Sequence, residues 1–561
     1  MHRGNHFAIA FVFLAMLTFA CRPSEKGEAD LVGSSDYADL VSLFKEFREF
    51  QKPKITNGVA DYTAPAMEEQ RRGLKKFQSR LGAIDISGWP VSQQIDYHLV
   101  RAEMNGLDFD HRILRSWSRD PGFYITVRFK YGPTMYGSLR IPKLPVTADG
   151  IAEFRMKLQA VPKILTQAKG NLNVTEVPGD LAICAIREKK KESAIFADLA
   201  TRLAEFHPDL VADAERAKAA CDDFREWLEE NKSKMIMPAG IGKENFNWWL
   251  KNVHLFPYTW KECLDISQRE YERTIAFLKL EENRNRKLSR LEPAANEAEY
   301  RDRYDEGEQH LLNFLREEEV LTVPDYLVPS GARPWATVPD RHSGVPYYPK
   351  GGFRVREFFR QTEDRDPVPL QCHNVAGHRF DSLRSQRDNR PIRGVRRLYL
   401  IDDMIRGEAV ATGFEEMLMH AGLLDKRRRA REITYIMIAF RAARSIAELK
   451  MISNEFTLKD AIEYCVERTP RSWVRKDSWT SEDSHTMWHD MEIPLRHPGS
   501  AMGYLMGKNQ VEKLLADRAM QLGDKFNLRQ FMDEFLAAGM IPIALTQWEM
   551  TGLDNEMKKL W

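Results

Sequence analysis

"LQCHNVAGHRF", residues 370–380, brings a cysteine, two histidines and a glycine within seven positions, directly after the proline-rich "DRDPVP". Cys372, His373 and His378 are all competent zinc ligands by type. Their spacing sets a condition. On an unbroken α-helix, side chains five apart stand about 140° around the axis and cannot meet on one ion. Cys372 and His378 face the same difficulty, so a metal site requires the chain to bend at Gly377. Cys372 beside two imidazoles also suggests a thiolate nucleophile, which needs a base within hydrogen-bond reach. Neighbours in sequence diverge in space, which counts against that reading. The third reading is a segment that packs and has lost its chemistry.

The sequence on either side decides the architecture. "YADLVSLFKEFREFQ" (37–51) sets Leu40, Leu43, Phe44 and Phe47 on one helical face. A long helix is expected after Pro90, two more joined near Pro208, and a charged amphipathic one from "TWKEC" onward. Strand signals are few, with "GFYITVRFKYG" (122–132) the main alternating run. Residues 324–369 are rich in Pro, Gly and aromatics and read as irregular chain with short strands. Helices resume from about residue 395. The expected fold is mainly α: one large helical body with a few short strands and a long Pro/Gly-rich loop region before the motif. As domains, residues 37–561 form a single unit, with an N-terminal half 37–323 and a site-bearing half 324–561.

The 83 basic residues nearly balance the 82 acidic ones, which gives no reason to expect nucleic acid as a partner. The densest basic run, "DKRRRARE" (425–432), reads as a solvated helix face. At the N-terminus, Arg3 precedes the apolar run "FAIAFVFLAMLTFA" (7–20), too short for an ordinary membrane span, and then Cys21. This resembles a bacterial lipoprotein signal over residues 1–21, with Cys21 lipidated and residues 22–36 as a polar tether. The expected location is the cell envelope, exported and lipid-anchored, facing the periplasm or the exterior, with membrane contact through the N-terminal lipid only. Five further cysteines are too irregularly spaced for a disulfide module and read as mostly buried apolar residues.

Four stretches carry a wider resemblance: "IDYHLVRAEMNGLDFDHRILRSWSRDPGFY", "GKENFNWWLKNVHLFPYTWKEC", "EAVATGFEEMLMHAGLLD", and the long segment opening "HPGSAMGYLMGKNQ". Together they resemble the bacterial family of unknown function numbered 885, whose members look like helical zinc metallopeptidases. The family motif reads "HEAxPGHH". Aligned on Gly377 and His378, Cys372 stands for the first histidine and His373 for the glutamate. Slid by one, His373 is the first histidine and Asn374 replaces the glutamate. Both registers lose the carboxylate that would move the proton, and Arg379 stands for the last histidine. The resemblance implies Glu408 as a metal ligand, retains Glu415, and sets Met532 where a histidine is expected.

The expected site is therefore a metal set drawn from Cys372, His373, His378 and Glu408, with His373 and Glu408 as the catalytic candidates. Zinc is the implied cofactor, or none if the motif is a relic. A peptide-like ligand would meet His342, Tyr347, Tyr348 and Tyr504. His485 and His489, at i and i+4, are a rival pair able to fold over the cleft. The expected function is an exported lipoprotein with a metallopeptidase-like fold and altered or lost hydrolysis. The alternatives are an active metal-dependent hydrolase with an unconventional base, and a cysteine-dependent hydrolase.

Overall fold

The computed structural model describes residues 33–127, 136, 138–331, 358–395, 403–481 and 486–560. It is mainly helical, about 70% helix against 2% strand. The two-stranded hairpin β1 (Ile55–Thr56) and β2 (Val59–Ala60) is the one sheet among the described residues. Helices α1 (Tyr37–Phe50), α2 (Ala64–Gly82) and α3 (Val91–Phe109) share one apolar cluster with the C-terminal region. The residues of α1 that go inside are Leu40, Leu43, Phe44 and Phe47, the face its spacing predicts. A second cluster gathers α4 (Ala148–Asn171), α5 (Gly179–Phe206) and α6 (Val211–Asn231). The turn between α5 and α6 is a short 3₁₀ segment, Pro208–Leu210.

The largest cluster holds the site. Around it lie α7 (Trp260–Arg284), α8 (Glu297–Glu317), α9 (Glu408–His420), α10 (Ala430–Ile452), α11 (Gly503–Leu522) and α12 (Leu528–Ala537). Helix α7 starts on a capping box, Thr259 with Glu262, an arrangement that stabilises a helix end by about 1 kcal/mol. Helix α10 is buried on nearly every face, as a central core helix is. Its sequence nonetheless carries Arg441, Arg444, Ser445 and Glu448 among apolar residues, all of them buried. Each buried polar group must find a partner or cost free energy. Arg441 meets Glu415, Arg444 meets Asp490, and Ser445 meets Ser267 at 2.7 Å. Glu448 accepts from the backbone N–H of Gly499 (2.7 Å) and Met502 (2.6 Å), so the "HPGSAM" turn is tied to the core helix. Burial pushes the Glu448 carboxyl up to about 7 against the opposing pull of those amides.

Two sequence expectations change. The "GFYITVRFKYG" run does not make a strand over its described part: Pro121–Phe123 is a 3₁₀ turn, and Val127 forms one isolated bridge to Leu139. The basic run at 425–432 is not a solvated face. Arg427 bonds Asp366 and Glu306, Arg431 bonds Glu281, and Arg429 bonds Glu432 and the carbonyl of Leu288. These arginines dock the α9–α10 turn onto α7, α8 and the chain before the motif. The aromatic-rich stretch containing His342, Tyr347 and Tyr348 lies outside the described residues, as do Cys21 and His485. Among the described residues no helix is long and apolar enough to cross a membrane. All five described cysteines are buried and unpaired.

Candidate metal centre

Residues Cys372–Arg379 form a π-helix, and this answers the spacing problem. In π geometry the hydrogen bond runs from i to i+5, so residues five apart sit nearly one above the other. No bend at Gly377 is needed. His373 and His378 project the same way, their rings 4.6 Å apart between centroids. The glycine serves a different end. A Cβ on Gly377 would lie 2.5 Å from Ala411 Cα and 2.6 Å from Ala411 Cβ, so the π-helix rests directly on the backbone of α9. On the other side of α9, a Cβ on Gly507 of α11 would lie 2.1 Å from Ala409 Cβ. Small residues on α9 thus let two elements approach closely and deliver His373, His378, Glu408 and Tyr504 to one place.

Alanine is the better helix former by roughly 1 kcal/mol, so propensity alone would favour Gly377→Ala. The opposed atom is backbone and cannot swing away, so overpacking dominates. The variant is expected to lose about 1–3 kcal/mol in urea unfolding. A gain in stability would show that the π-helix does not rest on α9 this tightly.

His373 Nε2, His378 Nε2 and Glu408 Oε2 form a triangle with sides of 3.0, 3.2 and 3.3 Å. Roughly 3.3 Å is the edge of a tetrahedron whose metal–ligand bonds are about 2.0 Å. Among the described residues these three make up the one group of His, Cys and carboxylate atoms close enough to hold an ion. Glu408 Oε2 is buried and has no well-formed hydrogen bond, so its lone pairs point into the cluster unsatisfied. Burial pushes the Glu408 carboxyl up, but the adjoining imidazoles pull it down further, and it stays ionised well below the usual carboxylate range. An orphaned anionic oxygen between two imidazole nitrogens suits a divalent cation.

Behind His373 stands a second layer. Its Nδ1 lies 2.9 Å from Glu415 Oε1, and both side chains of the Glu415–Arg441 pair are fully buried. Arg441 grips Glu415 with two nitrogens, at 2.6 and 2.7 Å. A proton on Nδ1 donated to Glu415 leaves the Nε2 lone pair for the cluster, the arrangement that metal-bound histidines use. In this structure Arg441 Nη2 donates to Nδ1 at 3.3 Å and Glu415 Oε1 accepts no well-formed hydrogen bond; a metal on Nε2 would place the ring proton on Nδ1, facing Glu415. Tyr504 stacks parallel to His373 at 6.1 Å and carries Arg444 over its other surroundings, Cζ 4.6 Å from the ring. Burial and the charge of Glu408 push the Tyr504 phenol up, so it remains protonated.

Cys372 is not part of the triangle. It points into the apolar core, 1% exposed, and burial pushes its thiol far above the ordinary range. Such burial disfavours the thiolate, the form that attacks substrates and binds metals. Arg379, where the family motif has its last histidine, turns away to Glu308 at 2.5 Å, which also accepts from the N–H groups of Ser330 and Gly331. Met532 lines a separate cavity with Glu416 and Lys508. His489 is partly buried on its helix Thr486–Arg496 and is not in the cluster. The partners that sequence reasoning did not single out are Arg441, Arg444 and Glu448. Their signal was present as charges inside the otherwise apolar run "ITYIMIAFRAARSIAELKMI".

No curated protein matches this chain. Two solved structures share its fold. One is a candidate lipoprotein of unknown function from Shewanella oneidensis, 13% identical with a TM-score of 0.69, covering 92% of this chain and 100% of that one. The other is a candidate lipoprotein from Colwellia psychrerythraea, also 13% identical, with a TM-score of 0.65 and coverage of 92% and 98%. Residues 375–550, which hold His378, Glu408, Glu415, Arg441 and Tyr504, match the family model described as a bacterial protein of unknown function, DUF885.

Proposed function

We propose that this is an exported, lipid-anchored envelope protein that holds a divalent metal ion on His373, His378 and Glu408 and binds peptide-like ligands beside it, with hydrolysis altered or lost. The observation that carries the metal reading is the orphaned Glu408 Oε2 within 3.3 Å of both imidazole nitrogens. Zinc suits a two-histidine, one-carboxylate set; when bound it supplies Lewis acidity to a carbonyl or water. The residue following His373 is Asn374, whose neutral amide cannot accept a proton. His373 cannot substitute, because one ring nitrogen is committed to Glu415 and the other to the cluster. Glu415 is equally committed, to Arg441. The lipid anchor rests on Cys21 and the apolar run before it, and the description of both fold relatives as candidate lipoproteins agrees with it.

The test is metal analysis by mass spectrometry, followed by titration of fluorescent peptide pools into the purified protein. The expected result is close to one zinc per chain, with saturable peptide binding and intact peptides recovered afterwards. Recovery of cleaved peptides would replace this reading with an active hydrolase using an unconventional base. Protein without metal after zinc loading would dispose of the metal centre.

A further inference from the structure

Helix α9 bears Glu408 at its start and Glu416 eight residues on, about 12 Å along the axis. Around Glu416 there is a cavity of about 520 Å³, between α7, α9, α11 and α12, whose lining includes no member of the metal cluster. That volume lies within the range of small-molecule sites. Phe414, Leu418, Leu515, Leu528 and Met532 supply apolar wall.

Its polar side is a charge network with a marked bias. Lys508, 3% exposed, lies 2.9 Å from Glu416, 3.1 Å from Glu270 and 2.8 Å from Glu512, so its three N–H donors are matched by three carboxylates. Arg273 spends its fork on Glu270 and Glu416, with contacts of 2.7 to 2.9 Å. The cations are therefore engaged through all but one of their N–H groups, the second on Arg273 Nη1. Glu512 is less engaged: its side chain is 43% exposed and it meets Lys508 through one oxygen. Three carboxylates stand against two cations. An anionic ligand would find one spare guanidinium N–H beside a carboxylate in excess, whereas a ligand bringing its own N–H groups would find unused acceptor lone pairs and an uncompensated negative charge.

We propose that this cavity binds an organic ammonium: a primary amine on an apolar body, with the ammonium on Glu512 and the body between Phe414, Leu528 and Met532. This goes beyond the metal-centred reading and is independent of it. His420 lies 3.5 Å from Glu416 at the edge of this network.

Three probes of one chain length, heptylamine, 1-heptanol and heptanoate, are titrated calorimetrically into the purified protein with and without chelator. Heptylamine is expected to bind about tenfold tighter than the alcohol, the scale of one charge-assisted hydrogen bond, and tighter still than heptanoate. Glu512→Gln, at a half-exposed position, should bring the amine down to the alcohol's affinity. Leu528→Trp should weaken amine and alcohol alike by filling the apolar part. Circular dichroism establishes that both variants are folded, and chelator should change none of these values. Heptanoate binding as tightly as the amine, no binding by any probe, or an amine preference that survives Glu512→Gln would each overturn the proposal.

Discussion

Glu408→Ala protein is expected to lose zinc affinity by more than the roughly 10- to 100-fold that removal of an outer-shell partner causes. Glu408 contributes the one carboxylate of the triangle, and its Oε2 has no other hydrogen-bonding partner to satisfy it. Removing it leaves two neutral imidazoles, a weak and incomplete ligand set for a divalent ion. Glu408→Gln separates charge from shape: the amide fills the same space, so a loss nearly as large would show that the anion is what matters. Cys372→Ala is the contrasting variant. Its thiol lies in the apolar core, away from the triangle, so zinc affinity should be unchanged while stability falls slightly. Competition against a chromophoric chelator measures all of them. Equal zinc affinity in wild type and Glu408→Ala would remove Glu408 from the site, and a large loss in Cys372→Ala would restore the cysteine to it.

That contrast marks where sequence reading worked and where it stopped. The apolar face of α1 and the breaks at Pro90 and Pro208 were legible because local periodicity and proline chemistry determine them. The residue types at 372–378 were legible too, but the geometry that brings His373 and His378 together was not. An α-helical period applied to His373 and His378 separates them, and the π-register that unites them depends on how closely Gly377 can approach Ala411, a contact 34 positions away in sequence. The basic run at 425–432 fails as a solvated face for the same kind of reason. Its partners Asp366, Glu306 and Glu281 belong to elements far earlier in the chain, and nothing in the run itself announces them.

Arg441→Met should unfold the protein more easily by about 3–5 kcal/mol, the cost of breaking one side of a buried ion pair. Arg441 and Glu415 are both fully buried, so the variant strands a carboxylate in the core with His373 Nδ1 as its remaining close partner. Electrostatics then pulls in two directions. A carboxylate released from the guanidinium would hold the His373 proton more tightly, yet it would lose the two bonds that fix where it stands. Position matters more here, because each of the three atoms must stay within a few tenths of an ångström of its place in the triangle for them to share an ion. Zinc affinity should therefore fall by roughly 10- to 100-fold together with the stability. The double variant Arg441→Met, Glu415→Gln removes the stranded charge, and much of the lost stability should return while the metal affinity does not. That split distinguishes a positioning role from a merely structural one: recovery of both would mean that the pair only fills the core. Urea unfolding and chelator competition on the two variants provide the comparison, and with Glu415→Gln alone completing the cycle the non-additivity of the single changes measures the coupling directly.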